Sequence, residues 1–182
     1  EPWHAVHQRT SRTRGPVSSA RGCCHFAAAR TAMERPVVTL SIDSSLHQLV
    51  SVRAALRGLG VEAGLGGGAL GRLELCVAEA VNNCMEHAYG GQPGQPILIE
   101  WTATAADVRV EVCDRGKRLD AGYLDRVGPS LLEVDPQKPE SFRPRGRGLA
   151  LIKAFAARVQ YRSDGDTNRL IMWISRDSEG EP

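Results

Sequence analysis

Apolar and polar residues alternate in five short stretches of the chain, which is the pattern of β-strands with one buried face. These stretches are 37–42, 97–103, 108–114, 159–161 and 170–174. Short turns at Ala105-Ala106 and Asp164-Gly165-Asp166 join the second stretch to the third and the fourth to the fifth. The alternation therefore predicts one separate strand followed later by two β-hairpins.

Three other segments place apolar residues at helical spacing. They are 45–59, 69–89 and 146–157. We expect Gly58 and Gly60 to end the first helix. We expect the glycine-rich run 64–68 to be a flexible connector, because consecutive glycines lose much entropy in regular structure. Hairpin-joined strands with three helices left over predict an α/β (α+β) two-layer sandwich, in which a mixed, largely antiparallel sheet carries the helices on one face.

The helix at 69–89 carries the first candidate chemistry. Its apolar stripe, which faces the core, consists of Leu73, Val77, Val81, Cys84 and Ala88. On another side, Glu79, Asn83 and His87 recur every four residues, so their side chains point the same way. Asn and His are poor helix formers, unlike the Lys and Glu of an ordinary solvated face. From this helix alone, a polar surface and a functional face both remain open.

Two further features lie at element ends. Asp114 continues the core-facing positions of the strand 108–114, so a carboxylate is placed on the buried side and needs a hydrogen-bond donor. No Arg or Lys is supplied locally on that face. Gly146 and Gly148 open the third helix, and glycines at a helix N-terminus leave backbone N–H groups available to anions.

Composition and charge narrow the class of protein. The 182 residues, 42% hydrophobic and 24% charged, suffice for one domain with a full core. Residues 1–33 hold five Arg and one acid, which leaves 18 basic and 20 acidic residues in 34–182. The near-neutral folded part argues against a nucleic-acid surface. No apolar run is long enough to span a bilayer, so we expect no membrane association. Five Cys without a C-x-x-C pair fit the reducing cytoplasm.

The same patterns divide the chain into three parts. Residues 1–33 are predicted to be a disordered basic extension, 34–176 a folded domain and 177–182 a disordered tail. Within the domain, the irregular, proline-containing stretch 115–145 is long enough to be a lid or binding loop.

The three features follow one another along the chain in this order: Glu79-x-x-x-Asn83-x-x-x-His87 on a helix, Asp114-x-Gly116 after a strand, and Gly146-x-Gly148 before a helix. This order resembles the GHKL (Bergerat-fold) ATPases, which include histidine kinases, gyrase-type topoisomerases and chaperone ATPases. The sequence of residues 79–89, E-A-V-x-N-x-x-x-H-A-Y, is most similar to bacterial anti-sigma factor serine/threonine-protein kinases. The resemblance covers about 37–175 and does not include the N-terminal extension.

The resemblance implies ATP and Mg²⁺ as cofactors. It implies that Asn83 helps to hold Mg²⁺ against the triphosphate, and that Glu79 is the catalytic base that takes the proton from the attacking serine hydroxyl. It also implies that Asp114 accepts a hydrogen bond from the adenine amino group, which would supply the missing donor. Gly116 would let the backbone approach the base.

The resemblance also implies a phosphate-binding group around the third helix. Its members are Arg145, Gly146, Arg147, Gly148 and Leu149, with Arg143 as a further cation on the closing lid. His87 either contacts phosphate or caps its own helix, and both interpretations remain open.

By the same resemblance, the chain is an ATP- and Mg²⁺-dependent protein serine kinase and anti-sigma factor. Its substrate would be an anti-anti-sigma protein of the STAS type, its second partner a sigma factor, and its state a homodimer. One departure is Arg118, which stands where the family often has a second glycine; this puts the conformation of that loop in question.

Three alternatives to the kinase remain open at this stage. The chain could be a nucleotide-gated binding protein with little kinase activity, which would be indifferent to Glu79→Gln. It could be a detached ATPase domain of a larger histidine kinase, and a histidine-bearing partner substrate would distinguish that case. A plain α/β domain with chance motifs would leave the order of the three features unexplained.

Overall fold

The computed structural model describes residues 38–132 and 147–176, all of which lie in one compact unit, Thr31–Pro182. The predicted disordered extension, the predicted tail 177–182, the part of the predicted lid from 133 to 145, and Gly146 lie outside the described residues. None of the helices in the described part is long and apolar enough to cross a membrane.

The described part contains five strands and four α-helices. The strands are β1 (Val38–Asp43), β2 (Pro96–Ala103), β3 (Asp107–Asp114), β4 (Arg158–Asp164) and β5 (Thr167–Ser175). The helices are α1 (Gln48–Glu62), α2 (Gly67–Asn83), α3 (Tyr123–Arg126) and α4 (Gly148–Phe155). A π-helical turn, Cys84–Ala88, extends α2, and a 3₁₀ turn, Pro129–Leu132, lies in the predicted lid.

The strands form one sheet in the order β1-β2-β3-β5-β4, and every pair of neighbours is antiparallel. One row across its core face consists of Leu40, Ile99, Val112, Leu170 and Tyr161. Ile99 and Val112 are almost fully buried, as the alternation of apolar and polar residues requires. The predicted two-layer fold is therefore confirmed, with all strand pairs of the described part antiparallel.

The helices form the second layer. α2 lies at the centre: it packs against α1 and α4 and contacts β3 and β5. Its predicted stripe is buried at Leu73, Val77, Val81 and Cys84, whereas Ala88 is only half-buried. α2 packs against both the other helices and the middle of the sheet. The side of α2 that carries Glu79 and Asn83 therefore has a fixed position relative to the end of β3 and the start of α4.

The glycine predictions for the helix ends are wrong. α1 continues through Gly58 and Gly60 to Glu62, and α2 begins at Gly67, so two residues of the predicted flexible connector are helical. A Cβ at Gly60 would lie only 2.5 Å from Cδ2 of Leu70, which shows that this glycine lets α1 approach α2 closely. Tertiary packing thus outweighs the poor helix propensity of glycine at these positions.

The end of the organising helix also differs from the prediction. The sequence predicts one regular helix to residue 89, but from Cys84 the helix widens into the π-helical turn. The N–H of Tyr89 donates to the carbonyl of Cys84, five residues back, at 2.9 Å. Such a widened turn changes the direction of the residues that follow it, and π-turns are frequent at functional sites.

Candidate functional site

A cleft of about 310 Å³ opens between α2, the loop after β3, the start of α4 and the core side of β4. Its lining includes five of the residues to which the family resemblance assigns a role in the site: Asn83, His87, Asp114, Gly148 and Leu149. The fold therefore brings the three separate sequence features to one cavity.

At one end of the cleft, the first turn of α4 lies directly against α2. A Cβ at Gly148 would be 2.7 Å from Oε2 of Glu79 and 3.2 Å from Oδ1 of Asn83. Real Cβ atoms essentially never show a contact under 3.0 Å, so a larger residue here would displace the carboxyl end of Glu79, whereas glycine leaves both side chains where they lie. The contact places a helix N-terminus, with its unpaired N–H groups, next to a carboxylate and a carboxamide.

The carboxyl group of Glu79 is half-buried. Burial raises its pKa above the ordinary value of 4.5, and the neighbouring negative charge of Glu86 adds to the increase. A carboxylate whose pKa is raised binds a proton more readily once it is ionised. Glu79 thus has the electrostatics of a general base.

The amide group of Asn83 has a buried Nδ2 that finds no hydrogen-bond partner. A buried amide nitrogen without an acceptor costs free energy, typically about 1–3 kcal/mol. A ligand with phosphate oxygens would supply the acceptor, and the amide oxygen is a suitable ligand for a hard cation. The donor set at this end of the cleft therefore fits a magnesium–phosphate group.

At the other end of the cleft, Asp114 is buried, as the alternation along β3 predicts, and the protein itself provides hydrogen-bond donors to it. Its Oδ1 accepts hydrogen bonds from the N–H of Gly116 at 2.8 Å and from Nδ2 of Asn168 at 2.7 Å. The thiol of Cys84 lies 3.5 Å from Oδ2. The donor that Asp114 needs is thus provided by the protein, and among the described residues Oδ2 has only this weak partner.

Asn168 was missed from the sequence. It is 2% exposed, and it also donates to the carbonyl of Gly116 at 3.1 Å and accepts from the hydroxyl of Ser163 at 3.2 Å. The predicted strand began only at residue 170, but Asn168 continues the core-facing alternation of Leu170 and Met172. A longer strand in the prediction would have revealed a polar residue at a core position, the same signal that identified Asp114.

The loop after Asp114 packs against the π-helical turn. Gly116 lies so close to the π-turn that a Cβ would collide with the carbonyl oxygen of Ala88. The same carbonyl accepts a hydrogen bond from the N–H of Lys117 at 2.8 Å. The close approach made by Gly116 is therefore to the protein's own backbone; its predicted approach to a base stays a prediction.

Arg118 stands where the related family often has a second glycine, and its contacts show how this loop is held. Its guanidinium group donates to the carbonyl of Gly165 in the β4–β5 turn. No residue other than glycine has a positive φ in the described part of the chain, so the loop does not need a glycine at this position. Arg118 instead attaches the loop to the hairpin.

The remaining predicted residues divide into three groups. His87 is exposed at the cleft. Arg147 is half-buried and immediately precedes α4, and it makes interactions of its own. Arg145 and Gly146, with the lid residue Arg143, lie outside the described residues.

A second cluster of potential metal ligands lies on the opposite face of the sheet. Glu100, Glu111 and Cys113 are the only such group of three in the described part of the chain. Nη1 of Arg169 lies 3.2 Å and 3.4 Å from the two carboxylates and 3.4 Å from the thiol. The guanidinium group already provides the positive charge, so this cluster is a partly buried ion-pair network rather than a metal site.

Comparison with known proteins gives a consistent result. Residues 42–174 match the family described as histidine kinase-like ATPase domain. The chain is 27% identical over 128 residues to the serine-protein kinase RsbW of Listeria monocytogenes, which covers 70% of this chain and 80% of the relative. It is 29% identical over 102 residues to the serine/threonine-protein kinase BtrW of Bordetella bronchiseptica, covering 55% and 66%.

A solved structure shows the same fold. The structure of the RsbU and RsbW domains of Rv1364c from Mycobacterium tuberculosis matches with a TM-score of 0.53 and 18% identity. The match covers 78% of this chain and 33% of that chain. The likeness concerns the fold of the domain.

Proposed function

Because the chain belongs to the histidine kinase-like ATPase domain family, of the GHKL type that its motifs resemble, we propose that it is an ATP- and Mg²⁺-dependent protein serine kinase. The family uses ATP, and the relatives described above are named serine or serine/threonine kinases. We assign the kinase domain to residues 34–176.

The contact of Gly148 with Glu79 and Asn83 is the observation that carries this proposal. A pure binding module needs groups that hold phosphate, but it does not need a carboxylate with a raised pKa beside them. Glu79 is not itself among the residues that line the cleft, but it lies one helical turn from Asn83 and against Gly148 at a helix N-terminus, and both of these residues line it. That arrangement suits transfer of a phosphoryl group to a hydroxyl.

Each residue of the cleft has a distinct role in this reaction. Asp114 binds the exocyclic amino group of adenine through Oδ2, and Gly148 with the N-terminus of α4 binds phosphate oxygens. Glu79 takes the proton from the serine hydroxyl as that oxygen attacks the γ-phosphorus. For His87, which lines the cleft, the proposal is a contact with the phosphates.

Magnesium would be held by the oxygen of Asn83 together with phosphate oxygens and water. This ion usually takes few protein ligands and keeps several waters, so one carboxamide on a triphosphate site is sufficient. It would neutralise charge on the triphosphate during transfer. Phosphate contacts by Arg145, Gly146, Arg147 and Leu149 complete the proposal for this end of the cleft.

We further propose the partners that the resemblance implies. The substrate is a serine of an anti-anti-sigma protein of the STAS type, and the kinase acts as an anti-sigma factor that releases or binds its sigma factor according to the state of that substrate. We propose a cytoplasmic homodimer. The support is the similarity to the named kinases and the motif at 79–89.

The test is a labelling assay with purified protein, γ-labelled ATP, Mg²⁺ and a STAS-domain protein from the same genome. We expect acid-stable label on a serine of that protein, and loss of labelling in both Glu79→Gln and Asn83→Ala. Acid-labile label on histidine would instead identify a histidine kinase domain. If ATP binds but no label is transferred, and Glu79→Gln still controls partner binding, the protein is a nucleotide-gated binder.

A further inference from the structure

Two tyrosine hydroxyls hold the loop that follows Asp114. The hydroxyl of Tyr89 accepts a hydrogen bond from the N–H of Arg115 at 2.8 Å. The hydroxyl of Tyr161 accepts one from the N–H of Leu119 at 2.9 Å. The two side chains come from opposite sides, one from the end of the π-turn and the other from β4, so each anchors one end of the same loop.

The two hydroxyls differ in whether the protein provides an acceptor for their protons. Tyr89 donates to the carbonyl of Pro96 at 2.6 Å, so its capacity to donate is fully used inside the protein. Tyr161 has no acceptor for its proton among the described residues. A phenol can both accept and donate, and a partly buried hydroxyl that only accepts forgoes a favourable hydrogen bond.

The positions of the two tyrosines relative to the cleft also differ. Tyr161 is among the side chains that line the cleft, together with Asp114, and Tyr89 is not. Burial raises the pKa of Tyr161, and the negative charge of Asp114 adds to the increase. The phenol therefore remains protonated at neutral pH and is available as a donor to a molecule in the cleft.

We propose that Tyr161 is a second base-reading residue, whose hydroxyl donates a hydrogen bond to N1 of the purine whose amino group binds to Asp114. This inference rests on the proposed ATP site and adds the group that makes the site specific. Adenine presents an amino donor beside the N1 acceptor on this edge, which complements an acceptor from Asp114 and a donor from Tyr161. Guanine presents a carbonyl acceptor beside an N1–H donor, so both contacts would be mismatched.

The test measures nucleotide binding by calorimetry, with wild type, Tyr161→Phe and Tyr89→Phe, and with two probes, ATP and 1-deaza-ATP. The analogue replaces N1 by a C–H group and keeps the amino group. Tyr89→Phe is the matched control, because it also removes a hydroxyl that anchors the loop but not one that faces the cleft. Circular dichroism melting checks that all variants are folded.

We expect wild type to bind 1-deaza-ATP about tenfold more weakly than ATP, the loss typical of one hydrogen bond. Tyr161→Phe should bind ATP about tenfold more weakly than wild type and should no longer distinguish the two probes. Tyr89→Phe should keep the tenfold preference for ATP. If Tyr161→Phe keeps that preference, or if wild type does not show it, the inference is wrong.

This measurement separates the two proposals. Wild-type protein that binds no ATP would overturn both the ATP site and the role of Tyr161. Wild-type protein that binds ATP but shows no coupling between Tyr161 and N1 would overturn only the role of Tyr161. Binding is measured without the protein substrate, so a failure to find the correct substrate does not affect the result.

Discussion

At the scale of single residues, the cleft depends on polar groups whose partners come from distant parts of the chain. Asp114 could be identified from the sequence, because the alternation of β3 places it on the core side. Its partner Asn168 is 54 residues away, and only the pairing of β3 with β5 brings the two together at 2.7 Å. Local periodicity reports the face on which a residue lies but not the residue opposite it.

The first prediction concerns this pair. Asn168→Leu keeps the branched shape but removes both hydrogen bonds to Asp114 and Gly116. Because one of them involves a carboxylate, the free energy of unfolding should fall by about 1–3 kcal/mol. The affinity for ATP should fall about tenfold or more, since Oδ1 of Asp114 loses one of the two hydrogen bonds that fix it. Urea denaturation and calorimetric titration measure the two effects.

A matched control for stability is Ser44→Ala. Ser44 is a buried polar residue that donates to the carbonyl of Gln92 at 2.6 Å and accepts from the N–H of Gln95 at 3.0 Å, away from the cleft. Ser44→Ala should lower the free energy of unfolding but leave the affinity for ATP unchanged. Unchanged ATP affinity in Asn168→Leu would show that Asn168 has only a structural role.

The second prediction concerns the pH dependence of Glu79. A base acts in its ionised form, so the rate of phosphoryl transfer should rise with pH through a pKa above 4.5. Rates at saturating ATP over a series of pH values would show the transition. If the acidic limb of the profile has a midpoint at or below 4.5, the environment that we describe for Glu79 is wrong.

The third prediction is the effect of the same residue on stability. A carboxyl whose pKa is raised by folding favours the folded state when it is protonated, and this contribution is lost as the pH rises through the raised pKa. At pH 7, Glu79 therefore lowers the stability slightly. Glu79→Gln should show a small increase in melting temperature at pH 7 that disappears towards pH 4. A lower melting temperature at pH 7 would contradict this expectation.

At the scale of elements, the sequence identified the helices and strands but not all of their ends. Glycine usually marks the end of a helix, yet α1 continues through Gly58 and Gly60. Packing against α2 requires the small residue at position 60, and that requirement cannot be seen in the sequence of α1. The π-turn was missed for a similar reason, because the spacing of the residues 84–88 also fits a regular helix.

The fourth prediction compares these two glycines. No heavy atom lies within 4 Å of a Cβ placed at Gly58, so Gly58→Ala should stabilise the protein by about 0.5–1 kcal/mol through helix propensity. At Gly60, the new Cβ would meet Leu70 at 2.5 Å, and the buried leucine would have to move. Gly60→Ala should therefore be destabilising. Urea denaturation of both variants tests the pair, and equal stabilisation would contradict the close packing of α1 on α2.

At the scale of the whole molecule, the order of the strands in the sheet was not predictable from the sequence. That the three motifs meet in one site was predictable. The antiparallel order β1-β2-β3-β5-β4 places β3 at the centre of the sheet, and α2 contacts both β3 and α4. The order of the three motifs along the chain predicted that they meet, because it resembled a known family. Spacing alone would not have revealed which helix face meets which strand end.

The fifth prediction is that ATP stabilises the whole domain. A ligand that binds only the folded state at one hundred times its Kd adds about 2.7 kcal/mol to the free energy of unfolding. Thermal melting should therefore show a clearly higher melting temperature for wild type with ATP than without it. Asp114→Asn removes the negative acceptor for the base, and the increase should be strongly reduced. An equal increase in this variant would show that ATP binds elsewhere.

The most direct test of the central claim is the single-turnover rate of phosphoryl transfer to the serine substrate, with wild type and Glu79→Gln both saturated with Mg²⁺ and ATP. We predict equal ATP affinities but a rate at least one hundredfold lower in Glu79→Gln, the usual contribution of a general base. Equal rates in the two proteins would contradict the assignment of Glu79 and of this cleft as the catalytic site.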